Sequence, residues 1–175
     1  MDKFAAFNRL LPLCRRADVV LFADDDIRLP RGFATEYLAV VGEAGADLAQ
    51  PAQTENSYCT FKHVLVDRPS RVRLVNWVES GPLFSMSRRF LDLATPFPES
   101  AYMGWGLDHL WAQIREAHGF RAALVDATPV EHAFRAQATR YDPDRALRSM
   151  RRFLRAQGVR AVTPRLLQGG SEERA

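Results

Sequence analysis

Cysteine is nearly absent from this 175-residue chain: Cys14 and Cys59 are far apart and show no CxxC spacing. Neither a disulfide framework nor a thiolate zinc site is therefore expected. Lysine is equally sparse, two residues against 22 arginines, a compositional bias that weakens any inference from arginine number alone. No apolar run approaches the ~20 residues of a membrane-spanning helix. The first residues are broken by Asn8, Arg9, Arg15 and Arg16, a poor match to a signal peptide, so the cytoplasm is the expected location. Also missing are a Ser-centred nucleophile elbow, a glycine loop that cradles phosphate and a His-Glu-x-x-His pair.

What is present is a globular composition, 47% apolar and 26% charged, in a length that suits one domain with a real core. The formal charge of +3 conceals an asymmetry, because residues 133–175 hold ten Arg against four acids and leave residues 1–132 at −3. Arg145, Arg148, Arg151, Arg152 and Arg155 fall in one helical-looking stretch, and Arg clusters can meet phosphate. No aromatics alternate with them as single-strand binders need, so a solvated face is expected and nucleic acid is not an expected partner.

Spacings of three and four among Phe4, Phe7, Leu10, Leu11 and Cys14 predict a helix over residues 3–15. The run 18–23, rich in Val, Leu and Phe, predicts a buried parallel strand. A second helix is expected around 31–43, with Phe33, Tyr37, Val40 and Val41 on one face. A short strand over Ala46–Gln50, stopped by Pro51, precedes an irregular stretch over 52–70 in which Tyr58–Val66 could hold a strand. A strand over Val72–Val78, an apolar run Leu83–Met86 and a helix over Ser87–Leu93 follow. Pro96 and Pro98 impose an extended loop. Leu107, Leu110, Trp111, Ile114 and His118 share one face of a helix over 107–118 that Gly119 stops. A strand over Arg121–Asp126 and a basic helix of about 142–157 complete the pattern, and residues 166–175 read as a disordered tail. Alternating strands and helices argue for an α/β fold.

Three places carry chemistry. Asp24-Asp25-Asp26 directly follows the apolar strand, at the carboxyl end where ligands bind in open α/β sheets. Adjacent carboxylates repel, and a hard divalent cation such as Mg²⁺ or Mn²⁺ would relieve that repulsion. The same residues also suit an acidic turn that caps the next helix. Asp108 stands in the first turn of its helix, behind Gly104-Trp105-Gly106. There it is placed either as a general base or as a carboxylate favoured by the helix dipole. Trp105 offers a flat face for a sugar ring, and the two glycines permit close backbone approach. His132 follows a strand and Pro129, where loops reach a site edge. His63 and His109 are weaker candidates, and His118 is expected to pack on the apolar helix face.

Taken together, these pieces resemble a nucleotide-sugar glycosyltransferase of the GT-A type. The order of motifs resembles most the proteins grouped as domain of unknown function 707. The likeness rests on Phe22 to Asp26, Gln50-Pro51, Val78-Glu79, Pro82-Leu83-Phe84-Ser85, Gly104 to Asp108, and Val125-Asp126 followed by His132. It covers roughly residues 17–135. The resemblance implies a GT-A-like mixed sheet flanked by helices, a nucleotide-sugar donor, and a saccharide or other hydroxyl acceptor. It implies Mn²⁺ or Mg²⁺ held by Asp24, Asp26 and His132, with Asp24, Asp25, Gly104, Trp105 and Gly106 on the substrates and Asp108 as catalytic base.

In that fold the strands binding the nucleotide base precede the acidic turn by many tens of residues, whereas 23 residues precede Asp24 here. The expectation is therefore a truncated GT-A-like domain over 1–165 without those strands. Two other readings stay open: a non-catalytic sugar- or nucleotide-binding remnant, or a fragment that works with a partner. A metal-dependent phosphohydrolase fits less well, because it lacks the Lys and Ser/Thr residues that surround a phosphoaspartate.

Overall fold

The computed structural model describes residues 3–134 and 141–168. Six strands form one mixed, open sheet: β1 (Val19–Ala23), β2 (Leu48–Gln53), β3 (Val72–Val75), β4 (Leu83–Ser87), β5 (Ala122–Val130) and β6 (Leu166–Gln168), in the order β1-β4-β2-β5-β3-β6. Among the described residues five α-helices flank it: α1 (Lys3–Leu10), α2 (Phe33–Glu43), α3 (Arg88–Ala94), α4 (Leu107–His118) and α5 (Pro143–Gln157). The fold class is mixed α/β.

β4 is antiparallel to both β1 and β2, and β2 is parallel to β5. So β1, β2 and β5 point the same way, and their carboxyl ends emerge on one edge of the sheet. β1 itself corrects the expectation of a buried parallel strand, since its paired neighbour is the antiparallel β4 and it forms the sheet edge. Its side chains alternate, with Val20 and Phe22 buried and Val19 and Leu21 only partly covered. One face of the sheet packs Val20, Phe22, Leu48, Phe84, Met86 and Leu124 against Phe4, Leu91, Leu107, Trp111 and Phe153. The opposite face packs Ala49, Leu83, Ala123 and Val125 beneath Phe33, Tyr37, Val40 and Val41 of α2. This is the strand alternation expected of side chains that point to opposite faces.

Several element boundaries differ from expectation for local reasons. The first helix changes to a 3₁₀ turn over Leu11–Cys14, where Pro12 lacks the amide that an α-helix interior needs. Pro51 lies inside β2 rather than ending it. β4 pairs only as far as Ala49, and the β2–β5 register, in which Pro51 lies opposite Val125, shifts between Pro51 and Gln53. Tyr58–Val66 holds no strand; it contains a 3₁₀ turn over Lys62–Val64 and one bridge from Gln53 to Leu65. The strand expected over Val72–Val78 stops at Val75, and β5 runs past Asp126 to Val130. Leu166–Gln168, expected in a tail, pairs with β3; residues 169–175 lie outside the described residues. No helix among the described residues is long and apolar enough to cross a membrane.

Candidate functional site

A cavity of about 770 Å³ opens at the carboxyl ends of β1, β2 and β5. Its wall includes Asp24, Asp25 and Asp26 after β1, Gln53 at the end of β2 and His132 beyond β5. Trp105, Gly106 and Asp108 at the start of α4 complete it, together with Lys3, Glu79 and Tyr141. The volume falls in the usual range for small-molecule pockets.

The acidic turn and His132 are brought together by backbone pairing. The Arg28 amide donates to the Glu131 carbonyl at 2.9 Å, the Glu131 amide donates back at 3.1 Å, and their side chains form an ion pair at 3.0 Å. The next segment is held by Tyr58, whose amide donates to the His132 carbonyl at 2.8 Å, and by Ser57 Oγ, which accepts from the His132 amide at 3.0 Å. These contacts place His132 Nε2 3.5 Å from Asp26 Oδ1, while His132 Nδ1 is buried with no hydrogen-bond partner. Asp24 faces a different cation: Lys3 Nζ lies 3.2 Å from its carboxylate and also donates to the carbonyls of Gly81 at 2.9 Å and Ser80 at 3.3 Å. Burial raises the Asp24 pKa, and the Lys3 ammonium opposes that rise.

Asp26 and His132 together offer an oxygen and a nitrogen donor side by side, which suits Mn²⁺ or Mg²⁺ with further ligands from a bound phosphate or water. Among the described residues no three His, Cys, Asp or Glu side chains are gathered so as to hold a metal ion, and Asp24 is paired with Lys3.

Two further carboxyls line the cavity, Glu79 and Asp108. α4 begins at Gly106, whose φ of +99° is accessible to glycine, and Asp108 falls in its first turn, 9% exposed. Asp108 Oδ1 accepts the His109 amide at 2.9 Å. Desolvation by burial, with the Glu79 carboxylate adding to it, raises the Asp108 pKa to about 7. Burial also raises Glu79 to about 7, against the pull of Lys3. Trp105 is oriented by a hydrogen bond from Nε1 to Tyr141 Oη at 3.1 Å.

Gly104 does not line the cavity. It is buried with φ +80°, and a Cβ added to it would meet Phe4 Cε2 at 2.0 Å, so glycine is required there for packing. His109 lines the cavity and accepts the Val162 amide on Nδ1 at 3.2 Å. His63 packs on Trp77, and burial lowers its pKa to about 4. His118 is exposed and stacks on Phe120 instead of packing in the core. Arg145 lies over the Tyr102 ring and Arg148 pairs with Asp142; neither lines the cavity, and Arg135 and Arg140 lie outside the described residues.

Lys3, Gln53 and Glu79 are cavity residues without a role in the sequence reading. Glu79 had a usable signal, a carboxylate directly after the strand expected over Val72–Val78. Gln53 is 2% exposed with Oε1 lacking a partner, a sign that the wall receives a hydrogen-bond donor. Lys3 had none, because a lone lysine in a helix carries no pattern. Compared with known proteins, the chain matches no family model and no curated protein.

Proposed function

We propose that the cavity belongs to a metal-dependent glycosyltransferase with a GT-A-like sheet. The observation that carries this reading is the convergence of Asp24–Asp26, His132, Trp105 and Asp108 on one cavity from three separate stretches of sequence. Asp26 and His132 would hold Mn²⁺ or Mg²⁺, which when bound neutralises a diphosphate leaving group. Asp24 contacts the donor ribose or the ion, and Asp25 shapes the turn. Trp105 stacks on a sugar ring. In an inverting transfer the Asp108 carboxylate takes the proton of the acceptor hydroxyl while that oxygen attacks the anomeric carbon. The unpartnered Gln53 Oε1 on the cavity wall supports a ligand that donates a hydrogen bond, such as a hydroxyl.

Calorimetric titration with uridine and guanosine diphosphates, with and without Mn²⁺, tests the reading. Diphosphate binding should require Mn²⁺ and be lost in Asp26→Asn. Binding that ignores both the ion and the substitution would overturn it. A second reading, a non-catalytic nucleotide- or sugar-binding protein, is favoured by one observation: Lys3 already neutralises Asp24. It is supported if diphosphate binds and no sugar is transferred to any hydroxyl acceptor.

A further inference from the structure

Lys3 has no part in the scheme above, yet its ammonium stands on the acidic turn itself. Nζ lies 3.2 Å from Asp24 Oδ1 and 3.2 Å from Asp24 Oδ2, between the two oxygens of one carboxylate. It also donates to the carbonyls of Gly81 at 2.9 Å and Ser80 at 3.3 Å. An ammonium has three donors, and the carboxylate and the two carbonyls account for all of them. The backbone of Lys3 is anchored by its neighbour Phe4, which is buried against Phe84, Phe97 and Trp111. The four-carbon stem beyond it is flexible, so the head can leave Asp24 without moving the helix. Asp24 and Asp26 flank Asp25 and all three line the cavity, but Asp26 meets His132 Nε2 while Asp24 meets Lys3.

We infer that Lys3 is the resident cation of the acidic turn: its ammonium keeps Asp24 apart from the Asp26–His132 pair, and a divalent ion gains Asp24 as a third ligand only by displacing it. Nζ occupies the place from which both oxygens of a carboxylate grip a cation, and two cations there would repel each other. The pairing explains how three adjacent carboxyls are tolerated before any ion arrives, since one of them is already neutralised. It also ties α1 to the acidic turn and to the 80–81 loop through one head group. Displacement exposes that head group to the open cavity, whose wall Lys3 already forms.

This role for Lys3 rests on the ion site of the proposed transferase, so Asp26→Asn is measured alongside it. Lys3 and Lys62 are the only lysines in the chain, and ¹⁵N-lysine labelling therefore gives one ammonium signal from each. In the unaltered protein Mg²⁺ should speed exchange of the Lys3 ammonium protons with water by roughly tenfold or more, as a protected group becomes solvated. Exposed Lys62 serves as the internal control and should not change. Calorimetry gives a second readout: Lys3→Met should bind Mn²⁺ roughly tenfold tighter or more, because a competing charge has gone. That gain should vanish when Asp24→Asn is added to Lys3→Met. A lysine that only staples α1 to the loop would lower Tm when replaced, with no gain in ion affinity and no effect of Mg²⁺ on its exchange. That result overturns the displacement, and the exchange measurement decides it even if Lys3→Met fails to fold. If it is obtained while Asp26→Asn still abolishes Mn²⁺ binding, the ion site stands and only the role of Lys3 falls. If no divalent ion binds either the unaltered protein or Lys3→Met, both fall.

Discussion

Replacing Asp108 by Asn separates an ionisable base from a helix-start residue, and pH decides between them. An acid whose folded-state pKa exceeds its unfolded value is neutral in the fold and ionised in the unfolded chain between the two. For Asp108 that interval runs from 3.8 to about 7. The stability it contributes is therefore fully present below the lower value and is lost as pH rises through the upper one. At about 1.4 kcal/mol per pH unit, the cost of ionising it in the fold approaches about 4 kcal/mol at pH 8.5, an upper bound. Asn is isosteric, stays neutral, and keeps an oxygen to accept the His109 amide that Asp108 Oδ1 accepts at 2.9 Å. Asp108→Asn should thus be nearly neutral for stability at pH 4 and raise Tm by several degrees at pH 8.5, at about 2–4 °C per kcal/mol for a chain of this size. Turnover in any sugar-transfer assay should fall ~10²–10⁴-fold. Thermal unfolding followed by circular dichroism at the two pH values is the measurement. If Asp108→Asn lowered Tm equally at both, Asp108 would be an ionised helix-start residue and the reasoning about its burial would fail.

Other expected outcomes are as direct. His132→Ala should weaken Mn²⁺ binding by roughly tenfold or more, measured by calorimetry, while leaving Tm without metal within a few degrees. Arg73→Met should cost about 3–5 kcal/mol in chemical denaturation, because the side chain of Asp126 is 0% exposed and Arg73 binds it through two nitrogens at 2.9 and 2.8 Å. A loss below about 1 kcal/mol there would show that Asp126 is solvated. Gly104→Ala should destabilise by at least about 1–3 kcal/mol, since the new methyl overlaps Phe4 and must adopt φ +80°. A wild-type Tm for that variant would refute the packing account.

Periodicity is a local property, and what it controls was legible in the chain. The amphipathic faces of α2 and α4 follow from neighbours three or four residues apart. The carboxylates at a strand end, Asp24 to Asp26, were visible for the same reason, because an apolar run that stops in acids marks itself. Pairing partners are not local. That β1 lies at the edge against an antiparallel β4 depends on which strand reaches it, and nothing in Val19–Ala23 states that. Asp26 meets His132 because Arg28 and Glu131, 103 residues apart, exchange backbone hydrogen bonds. Lys3 reaches Asp24, and Glu79 is enclosed near Asp108, only once α1 and the 79–81 loop have packed at the sheet's carboxyl edge. Residue type and spacing determined which groups were capable of chemistry. Tertiary burial decided which of them keep their charge, because desolvation is a property of the folded surroundings and not of the chain.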